Sequence, residues 1–183
     1  IFGSYGYFLS DFIKTINYKF YFLDIGANQG IYSLLAAKNL YSDQIYSFEP
    51  TPETFKLLKE NIYINRFQKK IIPYQAVISD KKGLLELSTY HNHSGGSSIT
   101  PRVNKKNFMK KILVNSFTRD ELNKLNFKKF IPIIIKIDTE GSEPQIINEL
   151  VKTNFIKKVK HIFFECNDNY TNYEEMKKVL QES

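Results

Sequence analysis

The chain alternates short apolar runs with amphipathic stretches, and the alternation has a definite order. Phe8, Leu9, Phe12, Ile13 and Ile16 fall at helical spacing, so Tyr5 to Ile16 reads as a helix. Phe20 to Asp24 reads as a first strand, followed by a turn over Ile25 to Gly30 and a helix carrying Ile31, Leu34, Leu35 and Ala37. A second strand, Gln44 to Phe48, leads into a helix with Thr51 at the cap, Pro52 at its first position and Glu53 beside the positive helix end. Phe55, Leu58 and Ile62 mark its buried side.

Ile71 to Val77 is the third strand, and Leu84 to Leu87 reads as an extra one. From Ser88 to Lys111 the chain turns polar around Gly95-Gly96-Ser97-Ser98, a pattern that predicts a long substrate loop. Ile112 to Val114 is short and β-like, and Thr118 to Leu125 predicts a helix. Ile133 to Asp138 is apolar enough to be buried on both faces. Ser142 precedes a helix with Ile146, Ile147, Leu150 and Val151; Val159 to Glu165 is the last strand, and Tyr173, Met176, Val179 and Leu180 mark a final helix.

Five main strands, each followed by a helical stretch, predict an α/β fold: a Rossmann-like three-layer sandwich with a mostly parallel sheet. Strands one to three wind one way and strands four and five the other. Ligands of such sheets bind at the strand C-termini where the order reverses, between the first and fourth strands. Acids stand at four of the five strand ends: Asp24, Glu49, Asp138 and Glu165.

The first loop, Asp24-Ile25-Gly26-Ala27-Asn28-Gln29-Gly30, lacks the glycine spacing of the dinucleotide fingerprint, since Asn28 and Ile31 stand where it needs glycine. That spacing and the carboxylate of Asp24 argue against a pyrophosphate and an NAD-dependent oxidoreductase. A carboxylate there suits an ammonium group, so a ligand with an amino acid end and a sugar end, such as S-adenosylmethionine, fits better. Glu49 follows 25 positions beyond Asp24, where a carboxylate can accept ribose hydroxyls. Gln75-Ala76-Val77 and Asp80 come where an adenine edge would be read. The expected donor-binding set is Asp24, Gly26, Ala27, Asn28, Gly30, Glu49 and Ala76.

Composition narrows the rest. The 183 residues are 42% hydrophobic and 25% charged, the balance of a single globular domain over 1–183. Apolar runs reach only about five residues, too short to span a bilayer. One cysteine, Cys166, excludes a disulfide scaffold and a Cys-built zinc site, and fits a reducing, cytoplasmic setting. It reads as a buried thiol. The chain begins with Ile, as a trimmed or internal piece would. The formal charge is +7, but it comes from lysines spread along the whole chain, 23 against 3 arginines, so a nucleic-acid partner is not favoured.

The motifs at 24–33 (Asp-Ile-Gly-Ala-Asn-Gln-Gly-Ile-Tyr-Ser), 48–52 (Phe-Glu-Pro-Thr-Pro) and 136–143 (Lys-Ile-Asp-Thr-Glu-Gly-Ser-Glu) resemble the FkbM family of S-adenosylmethionine-dependent methyltransferases. Asn61, Asn65 and Phe164-Glu165 extend the likeness, which covers about residues 5 to 166. The resemblance implies a class I methyltransferase fold and O-methylation of a small-molecule or carbohydrate acceptor, such as a sugar in a polysaccharide, glycolipid or natural product. Two departures stand out. The family's Leu-Asp pair before the fourth strand is replaced by Ser116-Phe117-Thr118-Arg119-Asp120-Glu121-Leu122, and the terminal β-hairpin of the class has no counterpart after the fifth strand. A homo-oligomer or a further C-terminal segment would then cover the free sheet edge.

Transfer to a hydroxyl needs a base near the methyl group. Asp138 and Glu140, at the end of the fourth strand, are the first candidates, with Lys136 as a partner for these acids or a catalytic group. His91, followed by His93 in the polar loop, is the third. A divalent cation held by Asp138, Glu165 and Asn167 or Asp168 is a further candidate. Two other readings are a nucleic-acid methyltransferase and a non-catalytic domain of a larger protein. The first lacks its usual Asn/Asp-Pro-Pro-aromatic element, since 138–141 reads Asp-Thr-Glu-Gly.

Overall fold

A computed structural model describes residues 4–90, 108–139, 141–165 and 173–182. Helix α1 (Ser4–Thr15) is followed by β1 (Phe20–Ile25), α2 (Ile31–Lys38), β2 (Ser42–Phe48), α3 (Pro52–Ile64) and β3 (Ile71–Tyr74). The chain continues through β4 (Ala76–Ile78), β5 (Leu84–Tyr90), β6 (Phe108–Phe117) and the short α4 (Arg119–Leu122). It closes with β7 (Ile133–Ile137), α5 (Glu143–Leu150), β8 (Val159–Phe164) and α6 (Tyr173–Gln181). The main sheet is parallel with order β3-β2-β1-β7-β8, so the reversal lies between β1 and β7 as the pattern predicts.

The strand alternation sorts the core into two layers. On one face Tyr21, Leu23, Ile25, Ile133, Ile135 and Ile137 meet Ile146, Ile147 and Leu150 of α5 and Met176 of α6. On the other, Phe20, Phe22, Ile45 and Ile134 meet Leu9 and Ile13 of α1, Ala36 and Ala37 of α2, and Leu58 and Ile62 of α3. Every residue of β1 and β7 is buried, as strands covered by helices on both faces must be. Each large side chain so buried contributes about 1.5–3 kcal/mol. Three buried polar residues share one cross-strand row of this sheet: Ser47 of β2, Asp24 of β1 and Lys136 of β7.

Three expectations need correction. The single strand over 71–77 breaks at Gln75, and its second half leaves the main sheet to pair with β6. The stretch 88–111 is not all loop: β5 runs to Tyr90 and β6 starts at Phe108, forming an antiparallel hairpin in a second sheet of order β4-β6-β5. Its inner face packs Leu87 and Val114 on Val77, flanked by Leu85 and Ile112. Its outer face carries Glu86, Ser88 and Lys111, with Lys111 paired to Glu86 at 2.6 Å. A hairpin with one wet face is polar at every second position, and that polarity resembles a loop. The helix expected over 118–125 is only one turn, closed by a capping box between Thr118 and Glu121.

Among the described residues β8 is the edge of the main sheet on its side. Phe164 stacks on Tyr173 of α6 with ring centroids 6.2 Å apart. Cys166, His93 and the glycine-serine run at 95–98 lie outside the described residues.

Candidate active site

The loop after β1 is set by three backbones in the left-handed region within five residues: Gly26 (φ 74°), Asn28 (φ 51°) and Gly30 (φ 90°). Gly26 is required twice over, because a Cβ there would stand 1.9 Å from the carbonyl oxygen of Asp138. The ends of β1 and β7 therefore touch through backbone, and Asp138 N donates to Ile25 O at 3.0 Å. Gly26 N and Ala27 N both donate to Phe48 O, at 3.0 and 2.9 Å. Asn61 of α3 braces the loop from outside, its Nδ2 donating to Gln29 O at 2.9 Å.

Glu49 ties this loop to the next one. It is 5% exposed; one carboxylate oxygen accepts from Asn28 N at 3.0 Å and the other from Thr51 N at 2.9 Å. Burial pushes its carboxyl above the ordinary glutamate range, against the pull of those N–H donors and of Lys136. The Thr51 side chain also bonds this carboxylate, which leaves it about one acceptor position for a further donor.

Beneath the loop lies a buried ionic group. Ser33 Oγ donates to Asp24 Oδ2 at 2.6 Å and lies 2.7 Å from Ser47 Oγ. The other oxygen, Oδ1, receives no well-aligned hydrogen bond but stands 3.3 Å from the Lys136 ammonium. At that distance the attraction between opposite charges holds even without hydrogen-bond geometry. Lys136 Nζ also donates to Gly26 O at 2.6 Å, lies 3.6 Å from Asp138 Oδ2 and sits 5.5 Å from the centre of the Tyr32 ring. Burial alone would lower its pKa. The carboxylates of Asp24 and Asp138 more than offset this, so the net direction is upward and the amine stays charged.

After β7 the chain turns through Gly141 (φ 108°), and Glu143 holds the turn. This carboxylate, 1% exposed, accepts from Thr139 N (2.8 Å), Thr139 Oγ1 (3.0 Å) and Gly141 N (2.9 Å). Ser142 stands at the N-cap of α5 but makes no side-chain cap, and Glu143 satisfies the turn instead. Glu143→Gln keeps one oxygen acceptor and turns an amide donor toward N–H groups. It is expected to cost about 1–3 kcal/mol. Thermal unfolding should show this as a fall of roughly 2–12 °C.

These elements surround a cleft of about 370 Å³ at the switch point. Of the residues expected from sequence, Gly26, Ala27, Asn28, Glu49, Ala76 and Asp138 line it. Asp24 and Gly30 stand behind that wall: Asp24 in the buried ionic group, Gly30 against Leu58. Glu140 and His91 lie outside the described residues, as do Asn167 and Asp168. Asp80 bonds Gln145 on the surface, with its Oδ1 accepting from Nε2 at 2.6 Å. Among the described residues no group of three or more His, Cys, Asp or Glu is arranged to hold a metal ion.

Lys136 is the partner of Asp138, as its place in the strand suggested. Tyr32, Thr139 and Leu87 line the cleft without having been singled out. A signal existed for Tyr32, which stands two positions after Gly30 in the first turn of α2. Leu87 falls in the extra strand expected over 84–87, but nothing in the sequence aims that strand at the cleft.

Comparison with known proteins agrees with this architecture. The family model described as Methyltransferase FkbM domain matches residues 24–183. Methyltransferase sdnD of Sordaria araneosa is 29% identical over 86 residues, 47% of this chain and 33% of that protein, so the match spans about a third of that relative's length. Precorrin 8w decarboxylase of Methanobacterium thermoautotrophicum is similar in structure over 100% of this chain and 72% of its own, with a TM-score of 0.55 and 10% identity. Precorrin-6y C5,15-methyltransferase of Geobacter metallireducens GS-15 is similar over 94% of this chain and 65% of its own, with a TM-score of 0.50 and 11% identity. These two likenesses speak to the fold alone. The family match takes in the glycine loop, Glu49 and the whole turn after β7, and by it this chain belongs to the FkbM family of methyltransferases.

Proposed function

We propose that the chain is an S-adenosylmethionine-dependent methyltransferase acting on a hydroxyl group, with a sugar of a polysaccharide, glycolipid or natural product as acceptor, in a cytoplasmic setting. No helix among the described residues is long and apolar enough to cross a membrane. The observation that carries the reading is the order of chemistry along the cleft. Glu49 follows β2 and Ala76 to Ile78 follow its neighbour β3, while Lys136 and Asp138 belong to the end of β7 on the far side of β1, and all of them line the cleft. A ribose with its base suits the first end, and an amino acid with charges of both signs suits the second.

The residues present fit that donor on a second count. Asn28 Oδ1 is a buried acceptor without a partner in the loop that lines the cleft, and a ligand donor would satisfy it. When bound, the donor supplies a methyl group on a sulfonium, which is already electrophilic. The protein's task is then to hold both reactants in line and to remove a hydroxyl proton. Glu49 would hold the ribose hydroxyls. Asp138, 3.6 Å from Lys136, is better placed to hold an ammonium than to take a proton, because a proton arriving there would break an ion pair.

Titration calorimetry with S-adenosylhomocysteine, with NAD as control, tests the donor. Binding of the first alone is the expected result. Methyl transfer from labelled donor to sugar acceptors, with RNA as the competing acceptor, tests the class of substrate. Asp138→Asn is expected to weaken S-adenosylhomocysteine about tenfold. A loss of turnover at unchanged affinity would make Asp138 the base instead.

Glu49 adds a pH dependence. Its carboxyl titrates above the ordinary glutamate range when buried, and hydroxyl donors favour the charged form. S-adenosylhomocysteine affinity should therefore rise with pH through the mildly acidic range and then level off. The sign for stability is opposite. The raised carboxyl makes a contribution that is present at low pH and lost as pH rises through its folded value.

A further inference from the structure

We propose that Lys136 is a positioning residue for the amino-acid end of the donor site, a role that rests on the donor reading above. Its ammonium is 2% exposed, and three oxygens on three segments surround it: the Gly26 carbonyl at 2.6 Å, Asp24 Oδ1 at 3.3 Å and Asp138 Oδ2 at 3.6 Å. Two of these segments line the cleft. The Gly26 carbonyl belongs to the left-handed turn whose N–H groups face the loop after β2, and Asp138 is the carboxylate at the end of β7 that keeps 35% exposure. One buried charge therefore clamps the glycine loop to the β7 carboxylate across the switch point.

The third contact explains how the clamp is kept in place. Asp24 faces Lys136 across the β1–β7 pair and is itself held by Ser33. An ammonium buried beside an apolar sheet is stable only with such a counter-charge. Asp24 anchors Lys136, and Lys136 presents Asp138 and the loop. The sugar and base end, built from Glu49 and Ala76 to Ile78, feels Lys136 only through the longer-range pull of its charge on Glu49, the smallest of the effects on that carboxyl.

The two ends can be probed separately. S-adenosylhomocysteine reaches both, whereas 5′-methylthioadenosine keeps the sugar, base and sulfur and lacks the amino acid. Both are titrated into the wild-type chain, into Lys136→Met, and into Asp24→Asn/Lys136→Met, which removes the buried pair together and leaves only the part-exposed charge of Asp138 if the single variant does not fold. The expected result is a loss of at least tenfold for S-adenosylhomocysteine, with methylthioadenosine held within twofold. An equal loss for both ligands, or none for either, overturns the proposal. A wild-type chain that binds neither ligand defeats the donor reading, and a ligand-free measurement then decides the role of Lys136. Hydrogen exchange at the amides of Gly26 to Gly30 should be at least tenfold faster in the double variant while β1 and β7 keep their protection. Unchanged exchange in that loop overturns the clamp.

Discussion

Gly26→Ala is expected to lower the melting temperature by roughly 6–12 °C, on about 3 kcal/mol lost and the usual scaling for a domain of this size. Binding of S-adenosylhomocysteine should fall at least 100-fold in the same variant. Two costs combine. A left-handed backbone at φ 74° costs an L-residue about 1–2 kcal/mol. The added Cβ would also meet Asp138 O at 1.9 Å and Asp138 C at 2.8 Å, and both are backbone atoms that move only if β7 moves. The second cost falls on the contact that aligns the two sides of the cleft. Gly30→Ala is the comparison. Its Cβ would meet Leu58 Cδ1 at 2.5 Å, the far end of a side chain that can rotate away, so a smaller loss of about 1–2 kcal/mol is expected. Calorimetric melting of both variants checks the order. Equal losses would show that conformation alone, and not the β1–β7 approach, sets the requirement for glycine.

Glu49→Ala is expected to weaken S-adenosylhomocysteine by about 10–100-fold while the melting temperature changes little. The affinity loss follows from the charged acceptor withdrawn from ribose hydroxyls. Hydrogen bonds to charged groups contribute about 1.5–3 kcal/mol each, and 1.4 kcal/mol is tenfold in binding. The small stability change follows from opposing effects. Removal of the carboxylate leaves Asn28 N and Thr51 N without their acceptor, but it also removes a charge that burial disfavours. Titration and melting of one preparation separate the two. A large fall in melting temperature with unchanged affinity would make Glu49 a brace between two loops and nothing more.

The site was legible in the sequence where chemistry is local. Gly26 and Gly30 announce a turn that needs left-handed backbone, and Glu49 and Asp138 announce themselves as acids at strand ends. Asp24 was equally visible, but its surroundings were not. It sits in the middle of a sheet row with Ser47 and Lys136, and that row exists only once β2, β1 and β7 pair in register. Glu143 shows the same limit. In sequence it is an acid in the first turn of a helix, and only the return of the chain through Gly141 makes it the acceptor for three donors.

The strand order was readable because parallel strands buried on both faces are apolar throughout, and helices between them leave a 3.6-residue period. The second sheet was readable only in part: Leu84 to Leu87 and Ile112 to Val114 read as β, but their extensions to Tyr90 and Phe108 did not, since β5 and β6 bury one face each. Ala76 to Ile78 gave no sign that the chain changes sheets at Gln75.

The sequence by itself determined the layered α/β fold, the switch point and the residues that meet there, because hydrophobic period and turn chemistry are properties of neighbours along the chain. Only the tertiary structure decided which acids face the cleft, which are buried behind it, and that Lys136 pairs with Asp24. Burial and ion pairing depend on partners 21 to 112 positions apart, such as Glu49 with Asn28 and Lys136 with Asp24, and no local pattern records them.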